Sequence, residues 1–291
     1  MKLKHWIIFI SLGLIWSSSF MWIKIGVSVM GPSTLVAYRV TFGLLFGVAA
    51  AFFARHKMLR TRKEWIPLLV LGLTNIAIPF FLISWGEKSI DSGVAAILDA
   101  TVPLFAIVAA HALLPDDKMT WPKVSGLVMG FIGVIVLMSK DLGSHESTFL
   151  GELAVILASV FYAGSAIYAR KYTPNTPSTY RAVGPLLSAT VIMWIAAFTT
   201  EAPVVVPGDM QIWIALLWLG ILGSGVAFVM VFYLIHEIGP TKTSMVSYLF
   251  PLGGVTLGAI FLDEPLTWRI VTGAVLISVS LVVANWQRAH D

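Results

Sequence analysis

Three side chains in this sequence combine chemical reactivity with apolar surroundings. They are Asp99 in Ala96-Ile-Leu-Asp99-Ala-Thr101-Val-Pro103, Arg39 in Ala37-Tyr38-Arg39-Val40, and Asn75 in Leu73-Thr-Asn75-Ile. At membrane depth an ionisable side chain costs about 2.5–3.5 kcal/mol on insertion scales and is seldom idle. Asp99 is therefore expected to face a cavity as a substrate or proton site, the alternative being an interhelical hydrogen bond made in protonated form. Asn75 either orients a substrate or bonds a neighbouring helix. Pro79, Pro103 and Pro251 each remove a helical hydrogen bond and free a carbonyl, giving a gating kink or a static packing kink. Trp16, Tyr162 and Tyr248 lie deep enough to stack on a planar or cationic cargo. Trp85, Tyr168, Phe228 and Tyr233 add aromatic surface, while Trp65, Trp121, Trp213 and Trp268 fall near helix ends and belong to interfacial belts or to packing.

Enzyme chemistry finds no foothold. The chain has no His-Glu-x-x-His, no phosphate-binding Gly-x-x-x-x-Gly-Lys loop and no Gly-x-Ser-x-Gly. With 0 cysteines it has neither disulfides nor thiolate metal sites. Asp116-Asp117 is a lone acidic pair, and His111 has no second ligand one turn away. No cofactor is expected.

These residues must be held by elements that live in lipid. Of 291 residues, 58% are apolar and 12% charged, against about 25% charged in soluble domains; mean hydropathy is +0.88. Stretches of roughly 20 apolar residues, the length that spans a bilayer, fall near 6–27, 33–54, 64–84, 92–114, 121–139, 150–170, 178–199, 211–233, 240–262 and 267–286. The fold class is an all-α polytopic membrane protein of ten transmembrane helices. The first stretch is too long for a signal peptide and lacks a cleavage site, so it is expected to stay. Gly43 and Gly47, Gly126 and Gly130, and Gly254 and Gly258 have the spacing of close helix packing.

Lys and Arg orient the bundle. With both termini cytoplasmic, only Lys24, Arg39, Lys88, Lys140 and Arg269 fall on the outer side, and the other fourteen fall inside. The cluster from Arg55 to Lys63 reads as a topology signal touching anionic lipid rather than a nucleic-acid patch.

The chain also repeats. Pro103 matches Pro251, Gly72 matches Gly220, Phe80 matches Phe228 and Ile90 matches Ile238, each 148 residues on. Thr120-Trp121 matches Thr267-Trp268, and Tyr38-Arg39 matches Tyr180-Arg181. Two five-helix copies, 1–142 and 143–291, follow. Five is odd, so the second copy enters the membrane inverted, the pattern of secondary transporters whose substrate site sits between the repeats.

The residues resemble the drug/metabolite transporter superfamily, in its ten-helix branch built from two EamA repeats. Gly13-Leu-Ile-Trp16-Ser-Ser-Ser-Phe20 through Lys24 is similar to that family's opening helix, the Asp99–Pro103 segment to its fourth, and Ser247-Tyr248-Leu-Phe250-Pro251 to its ninth. Asp116 and Glu264 stand where the family has Gly-Glu, with Asp replacing Glu in the first repeat. The resemblance implies a plasma-membrane exporter or exchanger of small metabolites such as amino acids or amines. It also implies a cavity between the first four helices of each repeat, with the fifth and tenth packed to one side.

The expectation is a secondary transporter working by alternating access in the plasma membrane (the bacterial inner membrane), as a monomer or homodimer. Its partners are a small-molecule substrate, protons as coupling ion and the lipid bilayer, with no nucleic acid. The alternative is a polytopic membrane enzyme acting on a lipid-like substrate. Arg39 and Asp99 sit six and seven residues into helices running the same way, so at about 1.5 Å per residue both lie roughly 9–11 Å below the outer boundary. Intramembrane charges face the interior and pair, which predicts that they meet directly or through water or substrate. The second copy keeps Arg181 but has Ser247 in place of Asp99.

Overall fold

The computed structural model describes residues 2–53, 62–114, 119–139, 146–174 and 176–284. Among them, nine helices are long and apolar enough to cross a membrane. These are α1 (Leu3–Val27), α2 (Pro32–Phe52), α3 (Lys63–Gly86), α4 (Ser92–Leu113), α5 (Trp121–Met138), α6 (Thr148–Tyr172), α7 (Tyr180–Thr200), α8 (Met210–Ile238) and α9 (Lys242–Phe261). A shorter apolar helix, α10 (Trp268–Ala284), completes ten. Nearly all boundaries fall within a few residues of those expected. The exception is α8, which continues about a turn past residue 233. Its last turn carries His236 and Glu237, which end the apolar run before the helix stops at Gly239, held at φ 85°. Only a residue without a Cβ takes that backbone cheaply.

Helix contacts obey one exchange rule. α5 packs on α10, α2 on α7 and α4 on α9. The remaining major contacts come in pairs when α1–α5 are swapped with α6–α10: α3 on α6 with α8 on α1, α4 on α6 with α9 on α1, and α3 on α7 with α8 on α2. The α5–α10 pair stands to one side, its helices drawn together at glycines. A Cβ placed on Gly126 would lie 2.6 Å from the Ala284 Cβ, and one on Gly133 3.0 Å from Ile277.

Three helices are broken where the sequence places proline. Pro79 cannot donate to the carbonyl of residue 75, and the backbone before it widens into π turns over Gly72–Ala77. α4 is interrupted at Ala100–Thr101, immediately before Pro103. α9 tightens into a 3-10 turn over Met245–Tyr248 ahead of Pro251. α8 has its own wide turns over Trp218–Val226 without a proline. There Gly220, Gly223 and Gly225 loosen the helix, and Ser224 Oγ donates to the Leu219 carbonyl at 3.1 Å.

The face away from the N-terminus is tied by two carboxylates. Glu201, after α7, accepts from the Ser33 and Thr34 amides that open α2, both at 2.8 Å. Glu264, after α9, accepts from the Ser92 and Gly93 amides that open α4, at 2.7 and 3.0 Å. Each places an anion on the exposed N–H groups of a helix start, where the helix dipole favours it. Asp116, the first-copy match to Glu264, lies outside the described residues, as do Asp117 and most of the basic cluster from Arg55 onward.

Candidate functional site

The broken segments converge on one cavity of about 360 Å³. α4 contributes Asp99 and Pro103, α9 contributes Ser247 and Phe250, and the π segments contribute Asn75 and Gly223. Asp99 and Ser247 stand four residues before Pro103 and Pro251, so their carbonyls are the ones that those prolines cannot bond. A kink thus puts a side chain and a backbone acceptor into the same space. The cavity extends to Ser244 at the exposed α8–α9 corner, on the side of the N-terminus, while the opposite face carries the two carboxylate ties.

Arg39 is 5% exposed and held on two sides. Its Nε donates to Ser224 Oγ at 3.2 Å, and its guanidinium lies over the Phe80 ring at 3.8 Å from the centroid. The same Ser224 hydroxyl donates a hydrogen bond to the Leu219 carbonyl, so the π segment of α8 fixes the arginine's pose. Asp99 is 7% exposed, and its Oδ1 has no hydrogen-bond partner among the described residues. Both side chains line the cavity. The direct pairing expected from their depths does not form, because Arg39 is drawn to α8 and Phe80 instead.

Trp16 lines the cavity with its indole N–H donated to the Gly223 carbonyl at 3.0 Å and its ring edge-on to Phe250. Tyr162, from α6, completes the wall near Asp99. Of the nine candidate residues, Trp16, Arg39, Asn75, Asp99, Pro103 and Tyr162 border this space. Tyr248, Pro79 and Pro251 do not. The Tyr248 hydroxyl turns to α10 and donates to the Leu281 carbonyl at 2.7 Å, while Pro79 and Pro251 are buried behind the breaks that they cause. Arg181, the match to Arg39, donates to the Thr176 carbonyl just ahead of its own helix and stays outside the cavity lining.

Sequence reading passed over Phe80 as a cation platform and Ser224 as its partner. Ser224 stands as a lone hydroxyl among Gly220, Gly223 and Gly225, but nothing in the sequence ties it to Arg39. It also passed over Glu87, which is fully buried. Trp213 takes the packing role of the two expected for it, lying against Tyr38 and Phe42 with its N–H on the Pro207 carbonyl. Trp121 and Trp268 are exposed, as an interfacial position requires. Among the described residues no group of three or more His, Asp or Glu is placed to hold a metal ion.

The model of the EamA-like transporter family matches residues 4–139 and again 149–286. The chain is 26% identical over 270 residues to an uncharacterized transporter, YoaV, of Bacillus subtilis, covering 92% of each chain. It is 26% identical over 280 residues to an uncharacterized inner membrane transporter, YedA, of Escherichia coli, covering 94% of this chain and 88% of that one. An uncharacterized transporter of Archaeoglobus fulgidus is 23% identical over 286 residues, with 97% and 99% covered. One crystal structure superposes with a TM-score of 0.72 over 99% of both chains at 20% identity, a likeness of fold.

Proposed function

We propose, from the premise that the chain belongs to the EamA-like transporter family, that this membrane transporter exports or exchanges a small zwitterionic metabolite of the amino-acid type by alternating access. The supporting observation is that Asp99 and Arg39, both buried, border one cavity without a salt bridge between them. A cargo bearing an ammonium and a carboxylate would satisfy both, its ammonium at Asp99 and its carboxylate at Arg39. The rest of the wall is mainly apolar and aromatic, with Trp16, Phe20, Phe80 and Phe250, which suits an apolar side chain on that cargo. Asn75 and Tyr162 supply further polar contacts.

The two copies, 1–142 and 143–291, act as inverted repeats in the bacterial inner membrane with both termini cytoplasmic. On that topology the cavity reaches the cytoplasmic side and the carboxylate ties close the outer side. Protons are the coupling ion, competing with the cargo ammonium at Asp99.

Counterflow of labelled amino acids in proteoliposomes tests the reading. Intact cargo should exchange, and a zwitterion should outcompete both the decarboxylated amine and the deaminated acid. Asp99→Asn keeps the shape and removes the charge. Stranding a buried charge costs about 2 kcal/mol or more, so zwitterion affinity should fall about 30-fold, and protons should no longer compete with the cargo for binding. Chemically altered cargo, or equal competition by all three compounds, would overturn the proposal.

A further inference from the structure

Glu87 stands at the corner between α3 and α4, one residue past Gly86 and five before Ser92. It is 0% exposed, and neither Oε1 nor Oε2 has a hydrogen-bond partner among the described residues. The charged groups around it are committed elsewhere. Lys24 of α1 spends its ammonium on the Glu87 and Ile90 backbone carbonyls, both at 2.7 Å. Arg39 of α2 is held by Ser224 and Phe80. Glu264 is bound to the Ser92 and Gly93 amides. Asp99 of α4 is of the same sign, as are Asp91 at the corner and Glu152, buried on α6 where Gly151 meets Gly86. One turn before Glu87, Ser84 Oγ is likewise buried without a partner. An ionised carboxylate in such a place is penalised by several kcal/mol, and a neutral one by much less.

We propose that Glu87 is a proton-binding site whose occupancy is tied to closure of the face carrying the Glu201 and Glu264 ties. With that face closed, the side chain is sealed and holds a proton as a neutral carboxylic acid. When the face opens, the carboxyl meets water and releases that one proton to it. Closing again requires a proton to be taken back from the same side, with no other bond made or broken. Burial pushes the Glu87 carboxyl well above the usual carboxylate range, Lys24 drawing it back and Glu264 adding to the rise. The sign follows: the closed form binds the proton more tightly than the open form, so it is favoured at low pH on that face and loses ground as pH rises. The geometry of Glu87 stands apart from the cargo, but the opening and closing rest on the alternating-access reading above.

The chain has no cysteine of its own, so a single reporter is available at Ile23, which lines the cavity four residues before α1 ends at the closed face. Ile23→Cys in oriented liposomes is labelled with a membrane-impermeant maleimide from the Glu264 side across a pH series. Labelling should rise with pH. Glu87→Gln, the isostere of the protonated acid, should hold labelling low at every pH, and Glu87→Asp should restore a pH response. An unchanged pH response in Glu87→Gln would overturn the proposal, as would a pH response absent from the parent. So would failure of Glu87→Gln to fold, because a neutral isostere fits a site that is neutral. Loss of counterflow with this pH response intact would instead remove the transport reading and leave Glu87 as a proton site.

Discussion

Arg39 shows how much of a binding site rests on one side chain's partners. The Arg39 guanidinium donates through Nε while presenting a flat face to Phe80, on a side chain that lines the cavity. Lysine keeps the charge but has neither the flat face nor a second donor position along its stem. Arg39→Lys should therefore weaken cargo binding more than it lowers the melting temperature, by about tenfold, if the lost contacts amount to roughly 1.4 kcal/mol. Binding measured by thermal shift with the zwitterion found in counterflow checks this. Equal affinity in the two proteins would show that charge alone suffices. The sequence marked Arg39 and Asp99 because charge in an apolar stretch is legible one residue at a time. It could not mark Ser224 or Phe80 as partners, since they sit 185 and 41 positions from Arg39 and only packing brings them to it.

At the level of the helix, the prolines act at a distance of four residues. Pro103 leaves the Asp99 carbonyl without its helical donor, and Pro251 does the same for Ser247, so each break opens beside a cavity residue. Restoring the donor should straighten the segment. Pro103→Ala is expected to fold at least as well as the parent, since proline in a helix interior costs about 3 kcal/mol. It should slow flux, because the freed carbonyl and the hinge are both lost. Comparing purified yield with counterflow rate separates the two effects; loss of yield and flux in proportion would reduce the proline to a packing role. The prolines were evident in the sequence, as was their repetition at 148 positions. The wide turns of α8 were not, because there glycines and Ser224 produce without proline what Pro79 produces in α3.

Across the whole molecule, the two halves are joined on one face by two anions rather than by apolar packing alone. Glu201 and Glu264 belong to the second half, and the amides that they bind open α2 and α4 of the first. Charge-assisted hydrogen bonds contribute about 1.5–3 kcal/mol each. Glu201→Ala should lower the melting temperature in detergent and increase maleimide labelling of Ile23→Cys from that face, whereas Glu201→Gln should retain part of both through its remaining oxygen. Unchanged labelling in Glu201→Ala would show that the face is closed by apolar contacts instead. Sequence composition by itself determined that the chain lives in lipid, because 12% charge cannot cover a soluble surface. Apolar run length determined ten helices, and the spacing of matched residues pointed to two copies; both are local or periodic properties that survive without coordinates. Tertiary structure decided the rest. It turned Tyr248 to α10, gave Arg39 to Ser224 rather than to Asp99, and buried Glu87 behind a corner that reads as an ordinary polar loop. Those outcomes depend on which surfaces of different helices come within about 3 Å of one another. Hydropathy reports the preference of a residue for lipid or water and carries no information about its neighbour across the bundle.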